Sequence, residues 1–140
     1  MWAAIKKAIN SRLGRKNFKA LDEIISKECY ESYYNTMRDL VKAFGDGDGK
    51  IVVHPKNKTI VAEKEYLNRE WLETVVLPLG LESIGNMAFQ GTSISHLIIP
   101  EGVKNIGFQI VDAGTHLTEL KIPKSLETAE EDAFYNVYGD

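Results

Sequence analysis

The 140-residue chain has a single cysteine, Cys29. It can form no intramolecular disulfide and no thiolate cluster to hold a structural zinc, and a reducing compartment suits it. No stretch approaches the roughly 18 consecutive apolar residues of a membrane span. The opening Met1-Trp2-Ala3-Ala4-Ile5-Lys6-Lys7 is interrupted by Lys6, Lys7 and then Asn10. It therefore lacks the uninterrupted apolar run of about 7 to 15 residues that a secretory signal needs. No signal peptide is expected, and the chain is expected to be cytoplasmic at synthesis. Histidine is equally scarce: His54, His96 and His116 are the three present, and none stands in H-E-x-x-H or similar ligand spacing. No G-x-S-x-G occurs, and the carboxylates form no recognisable catalytic pair. Cys29 falls inside a helical pattern, where a buried, inert thiol is expected. The chain is thus expected to be no enzyme, with no metal and no cofactor.

What is present has the balance of a globular protein, 44% apolar and 26% charged residues with a net charge of −3. The charge is unevenly spread. Lys6, Lys7, Arg12, Arg15, Lys16 and Lys19 all precede the first acid, Asp22, so the remainder is strongly acidic. This basic patch could touch nucleic acid or an anionic membrane surface. A solvated face beside the acidic remainder is the preferred reading.

Trp2, Ile5, Ala8, Ile9 and Leu13 lie at three-and-four spacing and predict a first helix, with Gly14 as its stop. Asp22 and Glu23, with Leu21, Ile24 and Ile25, predict a second helix starting near residue 20. Tyr30, Tyr33, Tyr34, Met37, Leu40, Val41 and Phe44 form a longer helical stripe that ends at Gly45. Its tyrosines read as core residues capping whatever follows, in preference to a stacking platform for bases. Asp46-Gly47-Asp48-Gly49-Lys50 superficially resembles a calcium loop. Setting Gly49 at that loop's invariant sixth position leaves Phe44 and Pro55 where carboxylates are required, so a turn is expected.

The organising pattern lies beyond that turn. Pro78, Pro100 and Pro123 recur at nearly equal intervals, and their neighbours move with them. Before the prolines stand Val75 and Leu77, Leu97 and Ile99, and Leu120 and Ile122. After them stand Leu81, Val103 and Leu126, then Ile84, Ile106 and Ala129, then Phe89, Val111 and Phe134. Val52, Pro55, Val61 and Tyr66 begin a degenerate earlier copy, whose Glu63–Leu72 stretch looks more helical than its counterparts. A period in the low twenties is that of leucine-rich repeats, one short strand and one return segment per copy, stacked because no copy can bury its apolar side alone.

Residues 81–89 (Leu-Glu-Ser-Ile-Gly-Asn-Met-Ala-Phe), 97–107 (Leu-Ile-Ile-Pro-Glu-Gly-Val-Lys-Asn-Ile-Gly), and Leu120-Lys121-Ile122-Pro123 with Ala133-Phe134 resemble the BspA-like leucine-rich repeats. The resemblance covers about residues 52 to 136. Ile110-Val111 and Ala129-Glu130 depart from the family's Ala-Phe and Ile-Gly. The opening Met1–Asn10 segment is also similar to the starts of prophage-encoded repeat proteins, which implies a virion or phage-associated setting. The family resemblance implies adhesion or receptor binding, with no catalytic residues to carry over.

The expected fold is α+β: an N-terminal α-helical cap packed on a short right-handed leucine-rich-repeat solenoid with a small parallel sheet. Residues 1–45 make the helical cap region, 46–50 the turn, and 51–140 a repeat domain of about three and a half repeats. With Val75 and Leu77 inward, strand parity turns Val53, Val76, Ile98 and Lys121 outward onto the concave face, flanked by His96 and Glu119. The leading expectation is that this row recognises a protein partner. The N-terminal helices folding over the row is an equal reading. A structural role in homo-oligomerisation, through the open edge of the last strand, residues 120–122, or through the N-terminal helices, is the runner-up.

Overall fold

A computed structural model of the chain describes residues 19–20, 26–111, 117, 119–130 and 133. In chain order the elements are β1 (Lys19–Ala20), α1 (Lys27–Phe44), β2 (Ile51–Val53), β3 (Ile60–Val61), β4 (Thr74–Val76), β5 (Ser83–Ile84), β6 (His96–Ile98), β7 (Asn105–Ile106), β8 (Glu119–Lys121) and β9 (Thr128–Ala129). Each coil contributes one longer strand and one shorter strand, and all the strand pairings are parallel. The short strands form one continuous ladder, β3-β5-β7-β9. The longer ones form two pairs, β2-β4 and β6-β8, with β4 lying beside β6.

The register follows the period set by the prolines. Val52 pairs with Val75 and Leu97 with Leu120, while Val61, Ile84, Ile106 and Ala129 form one column across the second ladder. Leu77, Ile99 and Ile122 occupy successive rungs and are buried in a single apolar core with Leu81, Val103 and Leu126. The Tyr66 ring stacks on that of Phe89, one coil on, with centroids 5.7 Å apart and planes 5° from parallel. A side chain's main neighbour is thus its own equivalent one period away, which is how short coils exclude water collectively.

Each proline closes the same corner. The amides of Lys58, Leu81, Val103 and Leu126 donate to the carbonyls of Pro55, Pro78, Pro100 and Pro123, closing the same turn in every coil. Proline cannot donate to a ladder and has its backbone pre-set for a turn, so its recurrence marks where the chain must leave the first sheet.

The Ile-Gly pairs have a steric cause. A Cβ on Gly85 would lie 2.5 Å from the backbone nitrogen of Glu63, and one on Gly107 would lie 2.7 Å from that of Asn86. Both glycines press against backbone of the preceding coil. The first coil has Ala62 in this column, where no earlier coil of the ladder stands.

The prediction of helix over the Glu63–Leu72 stretch is corrected. Residues 63–68 are turns, with Lys64 and Asn68 at positive φ. Their amides leave the coil: Lys64, Tyr66 and Asn68 donate to the carbonyls of Asn86, Ala88 and Gln90. Alternate amides pointing to one side, as in a strand, tie the first coil to the second, an arrangement a helix cannot make because its amides run along its own axis.

Helix α1 carries the expected tyrosine stripe and ends as expected at Gly45. Ser26 caps it by accepting the Cys29 amide at 3.2 Å, and the Gly45 amide, at φ 89°, donates to Val41 at 2.8 Å. Three differences stand out. Lys19 and Ala20, where no strand was expected, form β1, parallel to β8 through Lys19↔Glu119 and Ala20↔Leu120, while residues 21–25, which carry the expected second helix, lie outside the described residues. Cys29 is exposed, not buried, because it sits on the first turn away from the sheet. The edge of β8, expected to stand open for dimerisation, carries the chain's own β1. The predicted helix over residues 2–13, together with Lys6, Lys7, Arg12, Arg15 and Lys16, lies outside the described residues, as do residues 21–25, His116 and Phe134.

Gly85→Ala should lower stability by about 1–3 kcal/mol through overpacking against fixed backbone, read as a lower urea midpoint with an unchanged slope. Replacing both Lys19 and Ala20 by proline removes the donors of β1 and should bare the β8 edge. Sedimentation should then show a mass that rises with concentration in the variant and stays constant in the parent.

Candidate functional site

α1 covers part of the outward sheet face, over Val53 of β2 and Val76 of β4 and reaching Ile98 of β6. Tyr30 and Tyr34 of the helix and Val76 of β4 are buried together in an apolar cluster separate from the main core. Tyr33, Met37, Val53, Leu79 and Ile98 are partly buried against it. The alternative in which the N-terminal region folds over the face is therefore the one found, and the helix lies across the sheet and not over the end of the stack.

Two hydroxyls fix the helix. Tyr30 Oη donates to the carbonyl of Leu77 at 2.5 Å, and Tyr34 Oη donates to the carbonyl of His54. His54 and Leu77 are equivalents one period apart, just past β2 and β4. Four helical residues rise about 6 Å, close to the roughly 4.8 Å between neighbouring strands. An i, i+4 tyrosine pair can thus step from one coil to the next. Burial raises both phenols above their ordinary values, so they remain neutral donors.

His54 fills the first coil's place in the Leu77 column and is 1% exposed. Its Nε2 is 2.9 Å from Tyr66 Oη, and its amide donates to the Val76 carbonyl at 3.0 Å. Nδ1 is buried without a hydrogen-bond partner. Burial pushes the imidazole down to about 4, the nearby Glu65 carboxylate opposing this and Lys58 adding to it. Glu65 itself is held below its usual range: burial raises it, but the Ala62 amide at 2.8 Å and the Lys58 ammonium at 3.1 Å together outweigh that. At neutral pH His54 is an uncharged brace between coil and helix.

The expected recognition residues separate into two groups. Val76 is fully buried, and Val53 and Ile98 are half-buried against the α1 cluster, so these three face the chain's own helix. Val76 as an open contact residue is a correction: Tyr30 and Tyr34 cover it. His96 is exposed, with Nδ1 2.8 Å from Ser95 Oγ, and Glu119 and Lys121 are half-exposed. Ile98 and Lys121 also line a niche beside Tyr30, with Ile99, Pro100 and Ile122. Of the basic patch, Lys19 is placed by its backbone in β1. Sequence reasoning missed the roles of Tyr30, Tyr34 and His54. The period itself carried a signal, since His54 stands one period before Leu77, where an aliphatic residue belongs.

Asp46–Lys50 is a turn. Gly47, Asp48 and Gly49 all have positive φ, and the Asp46 carboxylate accepts the Gly49 amide at 3.3 Å. Among the described residues no cluster of His, Cys, Asp or Glu could hold a metal.

The family model of a BspA type leucine rich repeat region (6 copies) matches residues 42–139. No curated protein matches the chain. A solved leucine-rich repeat protein from Bacteroides ovatus ATCC 8483 is 27% identical, with a TM-score of 0.51, over 59% of this chain and 22% of that one. The chain thus spans about a fifth of that protein's length.

The His54 environment predicts a pH dependence. The folded value of about 4 lies below the ordinary 6.5, so unfolding takes up a proton in that interval. Stability present above pH 6.5 should fall by about 3 kcal/mol as pH drops through the folded value. Urea titrations at pH 7 and 4.5 should show a smaller difference for His54→Leu than for the parent.

Proposed function

Since the chain belongs to the BspA-type leucine-rich repeat family, we propose that it is a protein-recognition module whose contact surface is the part of the outward sheet face beside α1. Stacked coils present one residue per coil in a row, and such rows serve extended partners. The observation that carries the reading is the position of His96, Ile98, Glu119 and Lys121. They lie on adjacent strands in paired register, His96 opposite Glu119 and Ile98 opposite Lys121. An apolar side chain among charged and hydrogen-bonding neighbours suits a recognition surface with an apolar centre and polar rim.

A displayed peptide library selected on the immobilised chain provides the test. Binders should lose at least about tenfold in affinity, or about 1.4 kcal/mol, against a variant carrying Ile98→Asp and Lys121→Glu. The variant's circular dichroism should match the parent's. Binders indifferent to these changes would place recognition elsewhere.

A further inference from the structure

The contact between α1 and the sheet is itself a recognition event. Of the 18 residues of α1, Tyr30 and Tyr34 are the buried ones. The helix is joined to the first coil through Gly45, Gly47 and Gly49, all at positive φ. Its far end is poorly covered, with Leu40 46% and Phe44 84% exposed. A cavity of about 180 Å³ opens between α1 and the turn after β4, lined by Glu31, Tyr34, Lys56, Leu79 and Gly80. The apolar cluster beneath the helix is distinct from the core that holds the coils together. The helix can therefore leave without dismantling the stack. Its departure would bare Val53, Val76 and Ile98 as one row, together with the carbonyls of His54 and Leu77.

We propose that the outward sheet face is a helix-binding face that α1 occupies in cis, and that its partner presents an amphipathic helix with two hydroxyl-tipped aromatic side chains four residues apart, which takes the place of α1. The inference deepens the recognition reading above and rests on it for the partner's being a protein. The occupant's chemistry comes from the bound helix. Aromatic bodies cover the apolar row, and hydroxyl tips reach carbonyls whose spacing is fixed by the coil repeat. An extended strand would not reproduce this step, because its side chains on one face recur about every 7 Å, two residues at a time.

The test uses the full chain carrying Tyr30→Ala and Tyr34→Ala, with a fluorescent peptide of residues 26–45 as probe. The peptide should bind saturably by anisotropy, and the parent chain, whose face is filled, should bind it at least about tenfold more weakly. A peptide with both tyrosines changed to phenylalanine should also bind about tenfold more weakly, having lost two hydrogen bonds. Absence of saturable binding, or equal binding of the phenylalanine peptide, overturns the proposal. Should the alanine variant fail to fold, Val76→Cys in a Cys29→Ser background decides. Thiol labelling while β5 and β7 amides stay protected from exchange supports a departing helix, and labelling that keeps pace with global unfolding overturns it. Neither arm uses an outside partner, so a failed library selection leaves both results standing.

Discussion

A single coil of the repeat cannot close a core of its own. Its two short strands place apolar side chains such as Val75 and Ile84 on the inside, but the flat sides of the coil would remain wet. Stacking removes those sides from water, and it works only if equivalent residues meet in register. The rest of the structure is subordinate to that condition. Prolines turn the chain at one corner, glycines admit the neighbouring coil's backbone at another, and the amides of Lys64, Tyr66 and Asn68 reach across to the next coil. Residues in left-handed conformation recur on the same schedule, Lys64, Met87 and Gln109 each standing one period after the last. A conformation disfavoured for side-chain-bearing residues is kept because the turn must repeat identically for the coils to stay parallel.

The repeat half of the fold was legible because periodic packing writes periodic sequence. Val61, Ile84, Ile106 and Ala129 are a column in the chain before they are a column in space. The N-terminal half offered no period. Its helix is a local matter of spacing and capping, so α1 could be read from Tyr30 to Gly45, but its docking depends on a surface made by residues far along the chain, from Val53 to Ile98. Outward parity placed Val53, Val76 and Ile98 correctly on one face, and their apolar character was the hint of a cover. Which face of the helix would meet them, and that tyrosine hydroxyls would seek strand-end carbonyls, is not encoded in either segment alone. Lys19–Ala20 escaped for a different reason: so short a strand has no periodicity, and its identity comes wholly from the edge it pairs with.

The first coil differs from the others where the helix meets it. Later coils put Leu77, Ile99 and Ile122 in a column to which the first contributes His54, and Phe89 sits in the column to which it contributes Tyr66. The exchange of a Leu–Phe pair for a His–Tyr pair keeps the packing, since the two rings meet edge to face at 5.6 Å. It also adds a polar link inside the coil. A buried polar pair is costly unless satisfied, and here one imidazole nitrogen is satisfied by Tyr66 while the same residue's carbonyl receives Tyr34. The first coil is therefore both the end of the solenoid and the seat of the helix, and its departures from the repeat are concentrated at that seat.

Both ends of the outward sheet are shaped by the same N-terminal segment. Its β1 closes the edge of β8, and its helix anchors over the carbonyls that follow β2 and β4. A parallel stack leaves an unpaired edge at its last coil and an apolar row on any face whose outward residues are Val and Ile, and each invites association. One contiguous segment answers both, with backbone pairing at the edge and aromatic side chains on the face. The two attachments differ in kind. Edge pairing depends on backbone geometry and is indifferent to side chains, whereas the helix contact depends on two tyrosines at one spacing. A change at β1 that keeps its backbone extended therefore leaves the edge closed, whereas loss of either tyrosine removes a hydrogen bond that holds the helix on the face.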